Sequence, residues 1–367
     1  MTVLPLPLSL FKPRRMERPD LRELPVRARL AGLLLALMGI FAQPASAQSP
    51  AEFFAGKTVR IIVPFDIAGT YGQYAQFAAQ HLRSHLPGNP NVIVQVMQGA
   101  GGIVALNHVY NIAPKDGTVV IIPAINFVQD ALLNPQAKYE VAGFEWLGRM
   151  MELVQLGVAS EKSGITSVED AKKRSVSSGG SGTTNPTVMS WRILNLMAGT
   201  KFNVVSGYKG LPDSQLAWER SEIDAVMLNW EHVVERHMEA YKAGRIKVIF
   251  AYAGRSLQEI AGHPLIGSFG RNPTDNAFLA IYTVGAELGR SFALAKGVPA
   301  DRVAAWRAAF DGMLADPTMK AEMAKRGMRF DPASGVEIQR LVAKAMDFPP
   351  EMLPGIKTIF EQVIAPQ

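Results

Sequence analysis

Short β-branched runs alternate with helical patterns along most of the chain, and this alternation constrains the fold more than any other feature. The runs TVRIIV (58–63), NVIVQVM (91–97) and TVVIIP (118–123) predict strands, and residues 73–86 and 102–112 predict the helices between them. Strands that are apolar on both faces and alternate with helices are typical of mostly parallel sheets covered by helices. The first part of the chain is therefore predicted to be an α/β unit.

A second series of the same kind follows the apolar stretch LVQLGVA (153–159). Its strands are predicted at SVSSGG, FNVVSGY, IDAVMLNW and IKVIFAY, and its helices at 167–173, 184–198, 212–220 and 231–243. The tail from Pro299 is predicted to be helical, with core residues that recur at helical spacing, namely Val303, Trp306, Phe310 and Met313. The chain thus contains two α/β layer sets.

The N-terminus has the pattern of a secretory signal. Scattered basic residues up to Arg29 precede the apolar run 30–41, and the small residues Ala45, Ser46 and Ala47 follow it. The apolar run is shorter than the roughly 20 residues that a membrane-spanning helix needs. We therefore expect residues 1–47 to be a signal peptide cleaved after Ala47, with translation starting at Met1 or Met16, and the mature protein to be periplasmic.

Composition excludes several classes of function. The chain has no cysteine, which rules out disulfides, a thiolate nucleophile and a cysteine metal site. Residues 1–47 hold seven of its 38 basic and three of its 32 acidic residues, so 31 basic and 29 acidic residues remain in the mature chain. A net charge near +2 is much smaller than the positive charge that nucleic-acid-binding proteins usually carry, so no nucleic-acid partner is expected.

Three glycine-rich turns each follow a predicted strand and precede a predicted helix. They are PFDIAGTYG (64–72), QGAGG (98–102) and SSGGSGTT (177–184). In open parallel sheets such turns lie at the carboxyl ends of the strands, where ligands bind. The helix N-termini beside them present free N–H groups and a partial positive charge, so these turns predict an anion site.

The glycine-rich turn at 177–184 and the two histidine pairs do not match the motifs of catalytic or metal-binding sites. GGSGTT lacks the lysine of a phosphate-binding Walker loop, and GGSGT lacks the last glycine of a nucleophile elbow. His232 and His237 stand five apart, which does not place them on one face of an α-helix, and His81 and His85 have no evident third ligand. Both pairs are interpreted as surface residues, so the sequence favours binding over catalysis, without a metal or cofactor.

The chain resembles the solute receptors of tripartite tricarboxylate transporters, the TctC or Bug family of periplasmic binding proteins. The segments that carry the resemblance occur in the family's order over about residues 57–345: KTVRIIVPFDIAGTYGQYAQFAAQHL, GAGG, APKDGTVV, SSGGSG, YKG, SEIDAVM, KGVPADRV and DPTMKAEMAKRGM. The resemblance implies a two-lobed type II periplasmic binding fold, or Venus flytrap. The first lobe would comprise residues 48–153 and 276–367, and the inserted second lobe residues 154–275.

The resemblance also implies a function and a site. The protein would be a monomeric receptor, not an enzyme, that holds a small organic acid between its lobes and delivers it to membrane permease subunits. By position, the ligand-binding residues would be Phe65, Asp66, Ala68, Gly69, Thr70, Gly99, Ala100, Gly101, Gly102, Ser181, Gly182, Thr183 and Thr184, with Tyr208 and Asn229 as wall residues. A hydroxyl at or near Thr184 is expected to cap the following helix.

The first turn departs from the family pattern. Where family members commonly read Pro-Phe-Ala-Pro-Gly-Gly-x-x-Asp, this chain has Asp66 in the turn and Gly72 in place of the downstream acid. A carboxylate about 4 Å from a bound anion would cost on the order of 4 kcal/mol. Either Asp66 turns away and accepts hydrogen bonds from turn N–H groups, or it faces the cleft and pairs with an amine or hydroxyl of the ligand.

Two other functions remain open. A receptor that feeds a sensor kinase instead of a permease would have the same sequence features. An enzyme on the same fold would need a nucleophile and base near the turns, and Lys209 beside Tyr208 is the only suggestive base. The identity of the bound acid is not specified by the sequence.

Overall fold

Two mixed β-sheets covered by helices make up residues 48–365, which are the residues that the computed structural model describes. The strands in chain order are β1 (Thr58–Val63), β2 (Asn91–Val96), β3 (Val119–Ile121), β4 (Phe144–Arg149), β5 (Gln155–Ser160), β6 (Val176–Gly180), β7 (Phe202–Ser206), β8 (Ala225–Asn229), β9 (Ile246–Tyr252), β10 (Ser291–Ala295) and β11 (Ala333–Ser334). The first sheet has the order β2-β1-β3-β10-β4-β11 and the second β7-β6-β8-β5-β9.

The helices connect these strands and cover the sheets. In chain order they are α1 (Pro50–Phe54), α2 (Thr70–His85), α3 (Ile103–Asn111), α4 (Phe127–Leu133), α5 (Val168–Lys173), α6 (Pro186–Ala198), α7 (Leu211–Glu219), α8 (residues 230–242), α9 (Pro273–Leu288), α10 (Ala300–Ala315), α11 (Pro317–Lys325), α12 (Gly335–Ala345) and α13 (Leu353–Ile364). The middle turn of α8, Val233–His237, is π-helical.

The two sheets repeat one arrangement. In the first, β1, β2 and β3 are parallel and β10 lies antiparallel between β3 and β4. In the second, β6, β7 and β8 are parallel and β5 lies antiparallel between β8 and β9. Four strands of each sheet therefore point the same way, as predicted. The inserted strand of each sheet runs against them, and in the first sheet the short edge strand β11 does so as well. β5 follows β4 of the first sheet directly, whereas β10 follows β9 of the second sheet with α9 between them. This is the two-lobed fold expected from the sequence.

Most predicted elements are confirmed, with shifted ends. The helix predicted from Gln73 begins at Thr70, so that the hydroxyl of Thr70 lies at the helix start. Ser167 caps α5 by accepting a hydrogen bond from the N–H of Asp170, as its sequence predicted. Sequence patterns assigned no element between residues 253 and 298, where the structure has α9 and β10.

The apolar stripe of the tail lies in the core, as predicted. Trp306 and Phe310 of α10 are fully buried, and the indole N–H of Trp306 donates to the carbonyl of Gly117 at 2.9 Å. Through these residues the helical tail packs against the central strands of the first lobe.

The edge of the first sheet at β2 is less covered, since Ile93 and Val96 are about 40% exposed.

The leader lies outside the described residues, so the signal peptide stays a prediction. Within residues 48–365, no helix combines the length and apolar character needed to cross a membrane. The strands of the first sheet fall at 58–149, 291–295 and 333–334, and those of the second at 155–252. The lobe boundaries at 153 and 275 stay predictions as well.

Candidate functional site

Two connected cavities lie where the strand ends of the two sheets face each other. The first has a volume of about 470 Å³ and the second about 660 Å³. Both are lined by residues from the two lobes, and they share Leu153, Leu211, Asn229 and Arg290. Together they form one cleft, at the carboxyl ends of the parallel strands, where open α/β sheets bind ligands.

The cleft brings together ten of the fifteen residues predicted from the sequence. Those that line the first cavity are Phe65, Gly101, Ser181, Gly182, Thr184, Tyr208 and Asn229. Those that line the second cavity are Ala68, Gly69 and Thr70, again with Asn229. The others, which line neither of these two cavities, are Asp66, Gly99, Ala100, Gly102 and Thr183.

The GAGG turn shapes the cleft with its backbone. All four residues have positive φ angles, and the N–H of Gly102 donates to the carbonyl of Gly99 at 2.9 Å. A Cβ at Gly102 would lie 2.7 Å from the Cβ of Ala124, so a side chain does not fit there. Gly99, Ala100 and Gly102 therefore hold the turn, and Gly101 is the residue that reaches the cavity.

Asp66 is a turn residue in this structure. Its side chain is exposed, and Oδ1 accepts a hydrogen bond from the N–H of Ala68 at 2.8 Å. The carbonyl of Asp66 accepts from the N–H of Gly69 at 3.1 Å. This is the first of the two arrangements expected for Asp66, in which the carboxylate satisfies its own turn.

The helix after the serine-rich turn is capped by an amide, so the prediction of a capping hydroxyl at Thr184 is wrong. The Oδ1 atom of Asn185 accepts from the N–H of Thr187 at 3.0 Å and from its hydroxyl at 2.9 Å. The hydroxyl of Thr187 accepts in turn from the N–H of Ser181 at 3.1 Å. Asparagine is a strong N-cap, and this network fixes the start of α6 at the wall of the first cavity.

Arg290 is a buried, charged residue of the cleft that was not predicted from the sequence. It is 4% exposed and lines both cavities. Its Nη2 donates to the hydroxyl of Thr70 at 2.6 Å, its Nη1 donates to the carbonyl of Gly289 at 3.3 Å, and its guanidinium lies 3.8 Å from the centre of the Tyr71 ring. The guanidinium is thus held in one orientation by neutral partners.

Residues 48–365 supply no counter-ion to the charge of Arg290. Among residues 48–365, no carboxylate oxygen lies within 4.0 Å of its nitrogens, and its buried Nε has no hydrogen-bond partner there. Glu231 lines the second cavity, but burial raises the pKa of that carboxyl group against the opposing charges of Arg329 and Arg290. Burying an unpaired charge costs several kcal/mol, so the cleft is arranged to receive an anion.

Amide side chains line the cavity opposite this charge. The Nε2 atom of Gln155 donates to Oδ1 of Asn229 at 2.8 Å, and the buried Oε1 of Gln155 has no partner among the described residues. Asn126 donates to the buried carboxylate of Asp130, whose pKa is raised to about 7 by burial. Gln155, Asn229 and Asn126 all line the first cavity and supply polar groups that could orient a ligand.

Arg290 and Gln155 were not predicted as site residues because both stand at the amino end of an antiparallel strand. Each stands at the amino end of an inserted antiparallel strand, Arg290 just before β10 and Gln155 at the first position of β5. The amino end of an antiparallel strand lies at the same sheet edge as the carboxyl ends of its parallel neighbours. The signal in the sequence was a polar residue directly before or at the start of an apolar run, as in GRSFALA.

The two histidine pairs behave differently from each other. Nε2 of His81 lies 3.1 Å from the carboxylate of Glu322, and Nε2 of His85 lies 3.6 Å from the carboxylate of Asp316. The two residues therefore contact different acidic partners. His232 and His237 converge, with their Nε2 atoms 3.3 Å apart. The prediction that they do not share a face is wrong, because the segment between them is a π-helix.

No protein-family model matches the sequence, and no curated protein sequence matches it. Solved structures do match. A TctC solute-binding protein from Polaromonas superposes with a TM-score of 0.59 at 18% identity, covering 83% of this chain and 97% of that one. The periplasmic binding protein BugD superposes with a TM-score of 0.57 at 18% identity, covering 84% and 97%.

The fold is that of the TctC and Bug solute-binding proteins. A third similar structure of this kind is MatC from Rhodopseudomonas palustris with bound malate, with a TM-score of 0.55, 17% identity and coverage of 84% of this chain and 99% of that one. The TctC fold accounts for both sheets and for the position of the cleft between them. Arg290 lines both cavities, and Lys209 lines the first.

Proposed function

We propose that the protein is a periplasmic solute receptor that binds a small organic acid in its cleft, with a carboxylate of the ligand on Arg290. The observation that carries the proposal is the buried, unpaired guanidinium of Arg290 on the cleft wall. A planar guanidinium offers two parallel N–H donors to a carboxylate, and such charge-assisted hydrogen bonds are among the strongest in proteins. The ligand would supply the counter-ion that the described residues do not.

The remaining lining of the first cavity favours a second polar group on the ligand. Gln155 and Asn126 present amides, and the start of α6 presents backbone N–H groups beside Ser181. A helix N-terminus favours negative charge, so a dicarboxylate that spans Arg290 and the start of α6 fits this arrangement. Similar structures with bound adipate and malate support the acid class.

The cellular role follows from the leader and the fold together. A signal peptide at 1–47 would deliver the mature chain, beginning near Gln48, to the periplasm. The lobes at 48–153 with 276–367 and at 154–275 would close on the acid, and the closed receptor would deliver it to a tripartite tricarboxylate-type permease. Neither step calls for catalysis.

A ligand screen with two variants tests the proposal. The purified protein is screened by thermal shift against dicarboxylates, tricarboxylates, aromatic acids and amino acids, and affinities of the hits are measured by calorimetry. Arg290→Gln should weaken acid binding by roughly 2–5 kcal/mol, because it removes one partner of a buried charge pair. Without ligand, the same variant should melt at an equal or higher temperature, because it no longer buries an unpaired charge.

Arg192 supplies the matched control. It is 3% exposed and donates to the main-chain carbonyls of Val363 and Ile364. Its buried Nε has no partner among the described residues. It lines neither cavity. Arg192→Gln should leave ligand affinity unchanged, whereas tight acid binding that persists in Arg290→Gln would contradict the proposal.

A further inference from the structure

Three potential metal ligands converge between α7 and α8 of the second lobe, and one of them, His232, also lines the second cavity of the cleft. The Nε2 atoms of His232 and His237 are 3.3 Å apart, and Oε1 of Glu219 lies 3.4 Å from Nε2 of His237 and 4.0 Å from Nε2 of His232. All three atoms lie within 4.8 Å of one another. Two imidazoles and one carboxylate are a donor set that zinc sites use.

The π-helical turn explains why residues five apart meet. In a regular α-helix, residues i and i+4 share a face and residue i+5 points well away from residue i. The turn Val233–His237 is wider and follows i to i+5 hydrogen bonding, which returns the chain to the same face after five residues. Single π turns inside α-helices occur frequently at functional sites. Here the turn aligns two imidazoles that an α-helix would separate.

The spacing matches the edges of a tetrahedron around a small metal ion. Ligands about 2.0–2.1 Å from Zn²⁺ in tetrahedral geometry lie about 3.3–3.4 Å from each other. The edge between the two imidazoles and the edge between His237 and Glu219 already have these lengths. The third edge is longer at 4.0 Å, and a rotation of the exposed Glu219 side chain would shorten it.

The surroundings suit a cation with one open position. The side chains of His232 and His237 are only 20% and 16% exposed, so both imidazoles are partly shielded from solvent. A cavity of about 310 Å³ adjoins the cluster and is lined by Glu219, His232 and Arg236. The guanidinium of Arg236 lies 3.9 Å from Glu235, so its charge is partly balanced by a residue outside the cluster.

We propose that Glu219, His232 and His237 bind a divalent transition-metal ion, Zn²⁺ in first place, with the fourth position open to solvent. Imidazole nitrogens select zinc-like ions over calcium and magnesium, which prefer all-oxygen sites. The ion ties the end of α7 to the π turn of α8. Leu211 and Pro212 at the other end of α7 line the cleft, so the ion also fixes a helix that forms part of the cleft wall.

The experiment measures zinc alone on protein that has been purified without a polyhistidine tag and stripped with a chelator. Calorimetry should give one Zn²⁺ per chain, and Co²⁺ in place of zinc should give the intense visible absorption of a tetrahedral ion. His237→Ala and Glu219→Gln should each weaken zinc binding at least roughly 100-fold, because loss of an outer-shell partner alone already costs 10- to 100-fold. Glu219→Gln changes an exposed side chain by one atom, so it keeps the fold if His237→Ala does not.

The pair His81 and His85 provides the control. His81 contacts Glu322 on another face of the molecule, and His81→Ala should leave zinc affinity and stoichiometry unchanged. A simple N–H to N hydrogen bond between His232 and His237 is the alternative explanation of their contact. It would be indicated, and the proposal overturned, by a wild-type protein that binds no zinc, or by zinc binding that is equal in the wild type and Glu219→Gln.

Discussion

Asp66 shows how one side chain in a binding turn can serve the turn instead of the ligand. Its Oδ1 atom accepts the N–H of Ala68, and its exposed carboxylate lines neither cavity. The carboxylate is thus directed to its own turn. The departure from the family pattern at this position therefore need not change the class of ligand.

Two substitutions at Asp66 separate the structural from the ligand-facing role. Asp66→Ala should lose about 0.5–1.5 kcal/mol of unfolding free energy, the net worth of one hydrogen bond, with the ranking of ligands unchanged. Asp66→Asn keeps an acceptor for Ala68 and should lose less. Chemical denaturation measures the first effect, and calorimetry with plain and amine-bearing acids measures the second. A selective loss of amine-bearing ligands would show that Asp66 faces the cleft.

Asp130 makes the stability of the protein depend on pH. It is 1% exposed, and burial raises its pKa to about 7, against about 4 in an unfolded chain. Between these values the folded state holds a proton that the unfolded state releases, so stability falls as the pH rises from about 4 to 7. Asp130→Asn removes this loss and should stabilise the protein at pH 8 by on the order of 2–4 kcal/mol, while changing little at pH 4.

Asp275 is the control for that measurement. It is 2% exposed, and although burial alone would raise its pKa, the hydrogen bonds and charge of Arg271 outweigh burial and lower it. Its contribution is present at neutral pH and lost as the pH falls. Asp275→Asn should therefore destabilise the protein at pH 8, the opposite of Asp130→Asn. Denaturant unfolding at several pH values measures both, and a destabilised Asp130→Asn variant at pH 8 would refute the assignment.

At the level of elements, the short connection between α9 and β10 positions Arg290. Gly289 ends α9 with a φ of 47°, and the N–H of Arg290 donates to the carbonyl of Met151 at 2.9 Å. A Cβ at Gly289 would lie 2.0 Å from that same carbonyl oxygen. Glycine is required because the main chain must approach the crossover between the lobes closely and with a positive φ.

Gly289→Ala should therefore be much more damaging than an ordinary glycine substitution. Gly199 has a φ of 73° and no atom within 4 Å of its added Cβ, so Gly199→Ala measures the cost of the backbone angle alone, about 1–2 kcal/mol. Gly289→Ala adds a steric clash with main chain and should cost at least about 2 kcal/mol more. Equal losses for the two variants in denaturant unfolding would show that the connection has room to adjust.

At the level of the whole molecule, a cluster of charged residues joins the lobes where the chain crosses between them. Glu152 is fully buried just before β5, and Nη2 of Arg255, which follows β9, lies 2.9 Å from its carboxylate. Nη2 of Arg149 in the first lobe lies 3.8 Å from the carboxylate of Glu152 and 3.5 Å from that of Asp331. Burial raises the pKa of Glu152, against the pull of Arg149 and Arg255.

Arg255→Gln should destabilise the protein by about 1–3 kcal/mol, because it leaves a buried carboxylate with only part of its hydrogen bonding. The surface pair of Lys172 and Glu169, 2.6 Å apart and largely exposed, is the control. Lys172→Gln should change stability by less than about 1 kcal/mol, as exposed ion pairs do. Thermal melts compare the two, and an effect of Arg255→Gln as small as that of Lys172→Gln would mean that solvent replaces the lost contacts.

The sequence by itself determined the local elements, the α/β class and most of the turns at the cleft. Alternating apolar runs and helical patterns are local properties, so β1, β2 and β3 and the helices between them could be located within a few residues. The glycines of the GAGG turn and the capped start of α5 are also local signals. The turns that contain Gly101, Ser181 and Thr184 were predicted from such patterns, and the family resemblance named these three residues, which line the cleft.

Only the tertiary structure decided that Arg290 lines the cleft and that His232 and His237 meet. Arg290 and Gln155 reach the cleft because β10 and β5 are inserted antiparallel, and strand direction is set by pairing between residues far apart in sequence. His232 and His237 meet because α8 widens to a π turn, a change of backbone hydrogen bonding that spacing on a regular helix does not reveal. Both depend on contacts between elements, which no single stretch of the sequence contains.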